Sequence, residues 1–315
     1  MLGDRVAEVR QVEVSEGDAG QRLDNLLLRE LKGVPRSHVY RLLRRGEVRV
    51  NGKRAKPETR LTAGDRVRIP PVRQEASPAG QAEPSGRVVA GIEARVIHED
   101  ERLIVIDKPS GLAVHGGSGL AFGVIEALRA ARPGSRLELA HRLDRDTSGV
   151  LLVAKGGVAL RHLHALLREG QVAKRYLALV KGRWRLGKKR LDLPLATSHR
   201  QGGERTVRVH ADGKPSVSVF DPLERLGELA TLMRVDLETG RTHQIRVHAA
   251  YSGHPVAGDD KYGDRDFNQR LRELGLRRLF LHAHRLEFVW PDTGQRCEWT
   301  SPLPAELESV LERLR

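Results

Sequence analysis

From Gln74 to Arg87 the chain runs QEASPAGQAEPSGR, without one large apolar side chain and rich in Pro, Gly, Ser and Ala. Such a stretch has nothing to bury, so it reads as a flexible linker between two separately folding parts. Charge divides at the same place. Arg22–Arg73 holds 15 Lys/Arg against 5 Asp/Glu, a net of +10, while the rest of the 315 residues contribute only +4 to the total of +14. A small basic unit therefore precedes a larger, nearly neutral one, and the length accommodates two domains. The expected division is an N-terminal strand or tail over 1–20, a basic domain over 21–73, a linker over 74–88 and a larger domain over 89–315.

The lone cysteine, Cys297, excludes an intramolecular disulfide framework or a thiolate-rich metal cluster and suits a reducing cytosol. The longest apolar runs, such as Gly149–Ala154, are far short of a membrane span, and the first twenty residues lack a signal-peptide core. These features point to a cytoplasmic protein with no membrane attachment, and its basic excess to nucleic acid. No exposed heptad pattern is visible, so a monomer is expected.

Within the basic unit, Leu23, Leu26, Leu27 and Leu31 share one helical face, and Gly33-Val-Pro35 breaks the run. Ser37 is the expected cap of a second helix. There Val39, Leu42 and Leu43 turn inward, Arg36, Arg41, Arg44 and Arg45 turn outward, and Gly46 ends the helix. Val48–Val50, the turn Asn51-Gly52 with Lys53 and Arg54 beyond it, and Asp65–Ile69 alternate as a small sheet should. Four arginines on one helix can be simply a solvated face. The local excess is too one-sided for that, and it favours contacts with a phosphate backbone.

In the larger unit, Ala94–His98 and Leu103–Asp107 read as a hairpin. Further strand-like runs fall at Gly149–Ala154, Tyr176–Val180, Val217–Asp221, Leu229–Leu237 and Leu279–Trp290. Helical faces are formed by Ala159, Leu163, Leu166 and Leu167, and by Leu307, Val310, Leu311 and Leu314. Strands outnumber helices without alternating strictly, which predicts an α+β fold on a mixed, largely antiparallel sheet. His115–Gly119 (HGGSG) lacks the Gly-Lys-Ser/Thr of a phosphate-binding loop, and His162-x-His164 and His282-x-His284 have no carboxylate or thiolate at ligand spacing. No metal site or cofactor is expected.

Two polar segments stand out. His141–Gly149 (HRLDRDTSG) enters an apolar strand and places Asp144 and Asp146 beside Arg142 and Arg145. A carboxylate next to arginine stays ionised, as a nucleophile or base requires, although a loop-fixing salt bridge fits the local composition equally well. The other is Gly240–His248 (GRTHQIRVH), where Thr242 is the expected cap of a short helix running toward Gly253. Gln244, Arg246 and His248 cannot all face solvent if Ile245 and Ala249 face the core. One cation from this helix could reach a carboxylate of the first segment.

RLDNLLLRE, GVPRSHVYRLLRRGEVRVNGKR and KPETRLTAGDRVRI together resemble an S4-type RNA-binding domain. LIVIDKPSGLAVH, HRLDRDTSGVLLVAK, AKRYLALV and GRTHQIRVHAAYSGHPVAGDDKYG resemble the successive signatures of the RluA-type pseudouridine synthases, from about residue 94 to the C-terminus. The resemblance implies a synthase domain behind a small S4-type domain and cofactor-free isomerisation of several uridines in large-subunit ribosomal RNA. It makes Asp144 the catalytic aspartate and Arg246 its basic partner. Tyr176 becomes the tyrosine that stacks on the target base and assists loss of the C5 proton, and Arg142 the arginine that fills the space left by the extruded uridine. Arg36, Arg41, Arg44, Arg45, Lys53 and Arg54 are the expected RNA contacts of the S4-type domain. Two rivals remain at this stage: a non-catalytic S4-domain ribosome-assembly factor, and a nucleoside glycosidase using paired carboxylates. If the basic unit grips phosphates, severing the chain within Gln74–Arg87 is expected to weaken ribosomal RNA binding. The slope of log K against log salt should then flatten by roughly 0.7–0.9 per lost contact, as measured by titration at several ionic strengths.

Overall fold

The structure is a computed structural model that describes residues 9–31, 33–72, 84–116, 122–199 and 205–315. It divides into two compact units, Met1–Glu83 with Gly156–Val158, and Pro84–Lys155 with Ala159–Arg315. Most of the stretch read as a linker, and Gly117–Gly119 of the glycine-rich segment, lie outside the described residues.

The first unit comprises β1 (Arg10–Glu13), α1 (Leu23–Glu30), α2 (Arg36–Arg45), β2 (Arg49–Val50), β3 (Lys53–Arg54) and β4 (Arg66–Ile69). Its four strands form one sheet in the order β1-β4-β2-β3. The leucines at 23, 26, 27 and 31 meet Val39, Leu42, Leu43, Val67 and Ile69 in a single core, so both helices bury the faces their spacing implied. Ser37, however, caps nothing. α2 starts two residues earlier than that cap implies, behind Pro35, whose fixed φ of −55° sets the entry and whose carbonyl accepts from His38 and Val39 N–H. Gly46 closes α2 in the left-handed region at φ 69°, and Asn51 and Gly52 turn the hairpin with φ of 50° and 77°.

The second unit opens with α3 (Gly86–Glu93), which begins inside the segment read as linker because the Ser85 hydroxyl accepts from Val88 N–H. There follow β5 (Val96–Glu99), β6 (Leu103–Lys108), α4 (Val124–Ala131), β7 (Leu137–Leu139), β8 (Ser148–Lys155), α5 (Gly156–Arg168) and β9 (Ala173–Lys181). Next come β10 (Lys189–Asp192), β11 (Leu195–His199), β12 (Arg205–Val209), β13 (Val217–Leu226), β14 (Ala230–Leu237) and α6 (Gln244–Tyr251). The chain closes with α7 (Arg265–Glu273), β15 (Leu281–Val289), β16 (Arg296–Thr300) and α8 (Ala305–Leu314).

One large sheet runs β10-β13-β14-β9-β15-β8-β6-β5, with β16 on β15 and β7 on β8, while β11 and β12 form a separate hairpin. Among these pairings only β15 with β8 is parallel, so the expected α+β fold on a mixed, largely antiparallel sheet is what forms. The parallel contact matters most for function, because β8 begins where the HRLDRDTSG segment ends. Gly149 pairs with Ala283 at this seam with φ 110°, and a Cβ there would stand 2.2 Å from the Ala283 carbonyl oxygen. Backbone cannot yield as a side-chain tip can. Gly149→Ala is therefore expected to cost about 3 kcal/mol or more, through the clash and a backbone angle that non-glycine residues avoid. Chemical denaturation of the full chain measures this, as a fall in midpoint or a loss of soluble protein.

Candidate active site

Asp144 lies on the loop that leads into β8, and that loop is clamped from behind. Lys108, fully buried at the end of β6, donates from Nζ to the carbonyls of Pro109 (2.8 Å), Leu112 (2.8 Å) and Arg145 (2.9 Å). Gly111 N–H donates to the same Arg145 carbonyl, and the Ser110 hydroxyl to that of Asp146 (2.7 Å). The Lys-Pro-Ser-Gly turn thus fixes the backbone immediately after Asp144. Burial pulls the Lys108 ammonium down to about pKa 7, against the opposing charges of Asp146 and Asp144. His141, at the start of the loop, is likewise lowered by burial to about 4, and its Nε2 accepts from Leu152 N–H (3.1 Å). The two loop carboxylates part company here: Asp146 pairs with its exposed neighbour Arg145 at 3.0 Å, whereas Asp144 turns toward α6.

α6 is buried on every side from Gln244 to Ala249, and each polar side chain within it has a partner. Gln244 donates to the Val217 carbonyl and the Ser218 hydroxyl and accepts from Arg241 N–H and Thr239; His248 meets Ser218 and the Leu193 carbonyl. Arg246 grips Asp259 with two bonds, Nε to Oδ2 at 2.7 Å and Nη2 to Oδ1 at 2.8 Å. Its remaining Nη1 reaches Asp144 Oδ2 at 3.3 Å. The Asp259 side chain is 0% exposed and that of Asp144 24%. Burial opposes the charge on Arg246, but Asp259 and then Asp144 outweigh it and push its pKa up. Asp259 is held below the usual carboxylate range against burial, chiefly by the Arg246 hydrogen bond.

Thr242 does not cap α6. His243 takes that position with a left-handed backbone, φ 54°, and makes no side-chain cap. Its ring instead faces Tyr262, with Nδ1 2.9 Å from the hydroxyl, and Asp144, with Nε2 3.9 Å from Oδ2. Burial lowers the His243 pKa; Asp144 and Asp259 oppose this, while Arg246 and Lys261 add to it. Asp144, His243, Arg246, Asp259 and Tyr262 all line one cleft of about 1890 Å³. Its walls also carry Arg95, Arg145, Arg272, Arg277 and Arg278, a surface able to hold a polyanion.

Tyr176, on β9, is 8% exposed and packs in the core with Leu143, Val235 and Ala283. Burial, then the Asp144 charge, raises its pKa, so it offers a neutral phenol. Arg142 is exposed at the start of the Asp144 loop. In the first unit Arg36, Arg41, Arg44, Arg45 and Lys53 are exposed, but Arg54 is partly engaged, donating to the carbonyls of Arg44 (3.3 Å) and Arg45 (3.0 Å) at the end of α2. Asp259, His243, Tyr262 and Lys108 were not singled out from sequence. Lys108 could have been noticed as a lysine ending an apolar strand; the others become meaningful only through tertiary partners. Among the described residues no group of three or more His, Cys, Asp and Glu is placed to hold a metal ion.

Asp144 and Arg246 thus meet at a cleft rich in arginine within an α+β domain, and comparison with known proteins identifies the class. Residues 102–251 match the RNA pseudouridylate synthase family and residues 21–67 the S4 domain. The chain is 54% identical over 308 residues to ribosomal large subunit pseudouridine synthase C of Pasteurella multocida (strain Pm70), spanning 98% of this chain and 94% of that protein. Identity to the protein of the same name from Escherichia coli (strain K12) is 54% over 310 residues, spanning 98% and 97%. The solved structure of human RNA pseudouridylate synthase domain containing 4 superposes with a TM-score of 0.60 at 25% identity, covering 72% of this chain and 95% of that one. The chain belongs to the RNA pseudouridine synthase family, with an S4 domain ahead of the synthase domain.

Breaking a buried pair strands its partner's charge. Asp259→Asn, similar in shape but neutral, is expected to lower stability by about 3–5 kcal/mol. The native pair stabilises above the unfolded carboxylate pKa near 3.8 and is lost as pH falls through the lower folded value. The stability gap between native and variant should therefore shrink in acid, which denaturant titration at pH 7 and pH 3 measures.

Proposed function

We propose that this protein converts uridines of large-subunit ribosomal RNA to pseudouridine, with Asp144 as the reacting carboxylate. The observation that carries the reading is a cleft-facing Asp144 bound by an arginine that is itself locked on a buried aspartate. The N1–C1′ bond breaks, the uracil rotates, a C5–C1′ bond forms, and the C5 proton is exchanged for one on N1. Nothing is oxidised, so side chains can carry the reaction without metal or cofactor. Asp144 either captures C1′ covalently or removes the C2′ proton to give a glycal, and both routes need it ionised.

A stacked uridine exposes neither C1′ nor C5 and must be flipped out at a cost of a few kcal/mol. Tyr176 offsets part of this by stacking, worth about 1–3 kcal/mol per base. Its raised pKa favours that role over proton removal. Arg142 fills the vacated space in the RNA, while Arg36, Arg41, Arg44, Arg45, Lys53 and Arg54 contact phosphates from the S4 domain, taken as residues 21–73. The segment 74–88 links it to a catalytic domain over 89–315. No helix among the described residues is long and apolar enough to cross a membrane. The substrate places the protein in the cytoplasm, where it acts as a monomer.

A non-catalytic assembly factor would need the basic helix but not the Arg246–Asp144 contact, and a glycosidase would release free uracil. Asp144→Asn is expected to leave ribosomal RNA affinity within a few-fold and to lower pseudouridine formation by about 10³-fold or more. Chemical mapping of pseudouridine in RNA treated with each form decides the matter. Retained turnover in the variant refutes the mechanism, and uracil release would favour the glycosidase.

A further inference from the structure

We infer that His243 is a positioning residue for Asp144: its Nε2–H fixes Oδ2 and leaves Oδ1 as the oxygen that meets the sugar. The inference rests on the reading of Asp144 as the reacting carboxylate and adds a residue to that site.

Three observations converge on the imidazole. His243 and Asn51 are the only non-glycine residues with positive φ among those described, and Asn51 sits in an ordinary hairpin turn. His243 is the third residue of a tight turn closed by Gln244 N–H donating to the Arg241 carbonyl at 3.2 Å, a position that glycine or asparagine usually takes. It stands at the head of a helix where an extended backbone and a hydroxyl or carboxylate cap are usual, yet it supplies no cap. What the unusual backbone achieves is to direct the ring into the cleft, between Tyr262 and Asp144.

The tautomer follows from the partners. Tyr262 Oη accepts from Val207 N–H at 3.0 Å, a bond made by backbone that cannot turn away. Its own proton is then free to be given to His243 Nδ1 at 2.9 Å. A ring that accepts at Nδ1 carries its hydrogen on Nε2, the nitrogen facing Asp144 Oδ2. Arg246 Nη1 approaches the same oxygen at 3.3 Å, so two donors converge on Oδ2. The 3.9 Å separation from Nε2 is long for a hydrogen bond, and on this inference it shortens when RNA expels water, as catalytic contacts commonly do.

Two substitutions separate this role from support of the fold. Asparagine tolerates the left-handed region and places its amide where Nδ1 stood, keeping the contact with Tyr262 but offering nothing to Asp144. Glutamine reaches the Nε2 position with an N–H but suits that backbone poorly. Melting temperatures should therefore fall in the order wild type, then His243→Asn, then His243→Gln and His243→Ala together. Single-turnover rate constants on ribosomal RNA should fall differently: wild type, then His243→Gln, then Asn and Ala together at roughly 100-fold below wild type, the scale of losing one preorganised donor. RNA affinity should change by less than threefold throughout.

The crossing of the two orders is the signature, since a structural role makes rate follow stability. Rates that rank Asn above Gln, or that match wild type in all three variants, overturn the inference for His243. Asp144→Asn, run alongside, keeps the two claims apart. If it is inert while the His243 rates follow stability, only the positioning role falls; if it turns over, the reading of Asp144 itself falls.

Discussion

One guanidinium holds the second unit's chemistry together. Arg246 sits in a helix with no solvent face, and a cation there is tolerable only because Asp259, wholly buried, takes two of its N–H groups. Asp259 in turn is held by the backbone N–H groups of Lys261 (2.9 Å) and Tyr262 (3.0 Å), so the pair is braced at both ends. This leaves one edge of the fork for Asp144. Because the positive charge is shared between two carboxylates, Asp144 is oriented without being fully neutralised. For the proposed reaction at an electron-poor sugar carbon, a carboxylate paired alone with arginine would be well placed but blunted. Sharing the cation keeps the placement and retains negative charge in the cleft.

The helices that could be read from sequence were those with one wet face and one dry face, and the strands those whose apolar runs have sharp ends. α1, α2, α5 and α8 show helical spacing of leucines, and β6, β8 and β9 show apolar runs with clear ends, because each borders solvent or a turn. α6 was expected, as a short helix running toward Gly253, from a cap signal and two core residues rather than from such a face, and it forms at Gln244–Tyr251. With Gln244, Arg246 and His248 buried as deeply as Ile245 and Ala249, no polar face marks it. Its polar groups are satisfied by Ser218, Leu193 and Asp259, partners set by tertiary packing. The caps failed for a related reason. Ser37 and Thr242 are good cap residues, but Pro35 already fixes the entry to α2, and at α6 His243 holds the cap position with its ring turned toward Tyr262 and Asp144.

The site was legible in part. Asp144 and Asp146 have near-identical local surroundings in sequence, each flanked by arginine, and nothing local says which is structural. The fold decides: Asp146 closes on Arg145 at the rim, while Asp144 is reached by an arginine 102 residues away. Asp259 lay within a recognised signature, yet the reason for it appears only once α6 is seen to bury Arg246.

Lys108 supplies the complementary constraint. A fully buried ammonium is costly, which is why its pKa is drawn down to about 7, and a purely apolar strand end would seem cheaper. Its three N–H groups are matched by three carbonyls, two from its own turn and one from Arg145 beside Asp144. A neutral amine has only two donors, so deprotonation would leave one of those carbonyls unpaired in the interior. The carbonyls therefore favour the charged form, and the charge offsets the carboxylates of the neighbouring loop. Asp144 is thus fixed twice, through its backbone by a cation it never touches and through its carboxylate by one it does. In the role proposed for Asp144, meeting a flipped nucleotide at a single carbon, both are needed, since a loop free to shift by an ångström would present a correct charge in the wrong place.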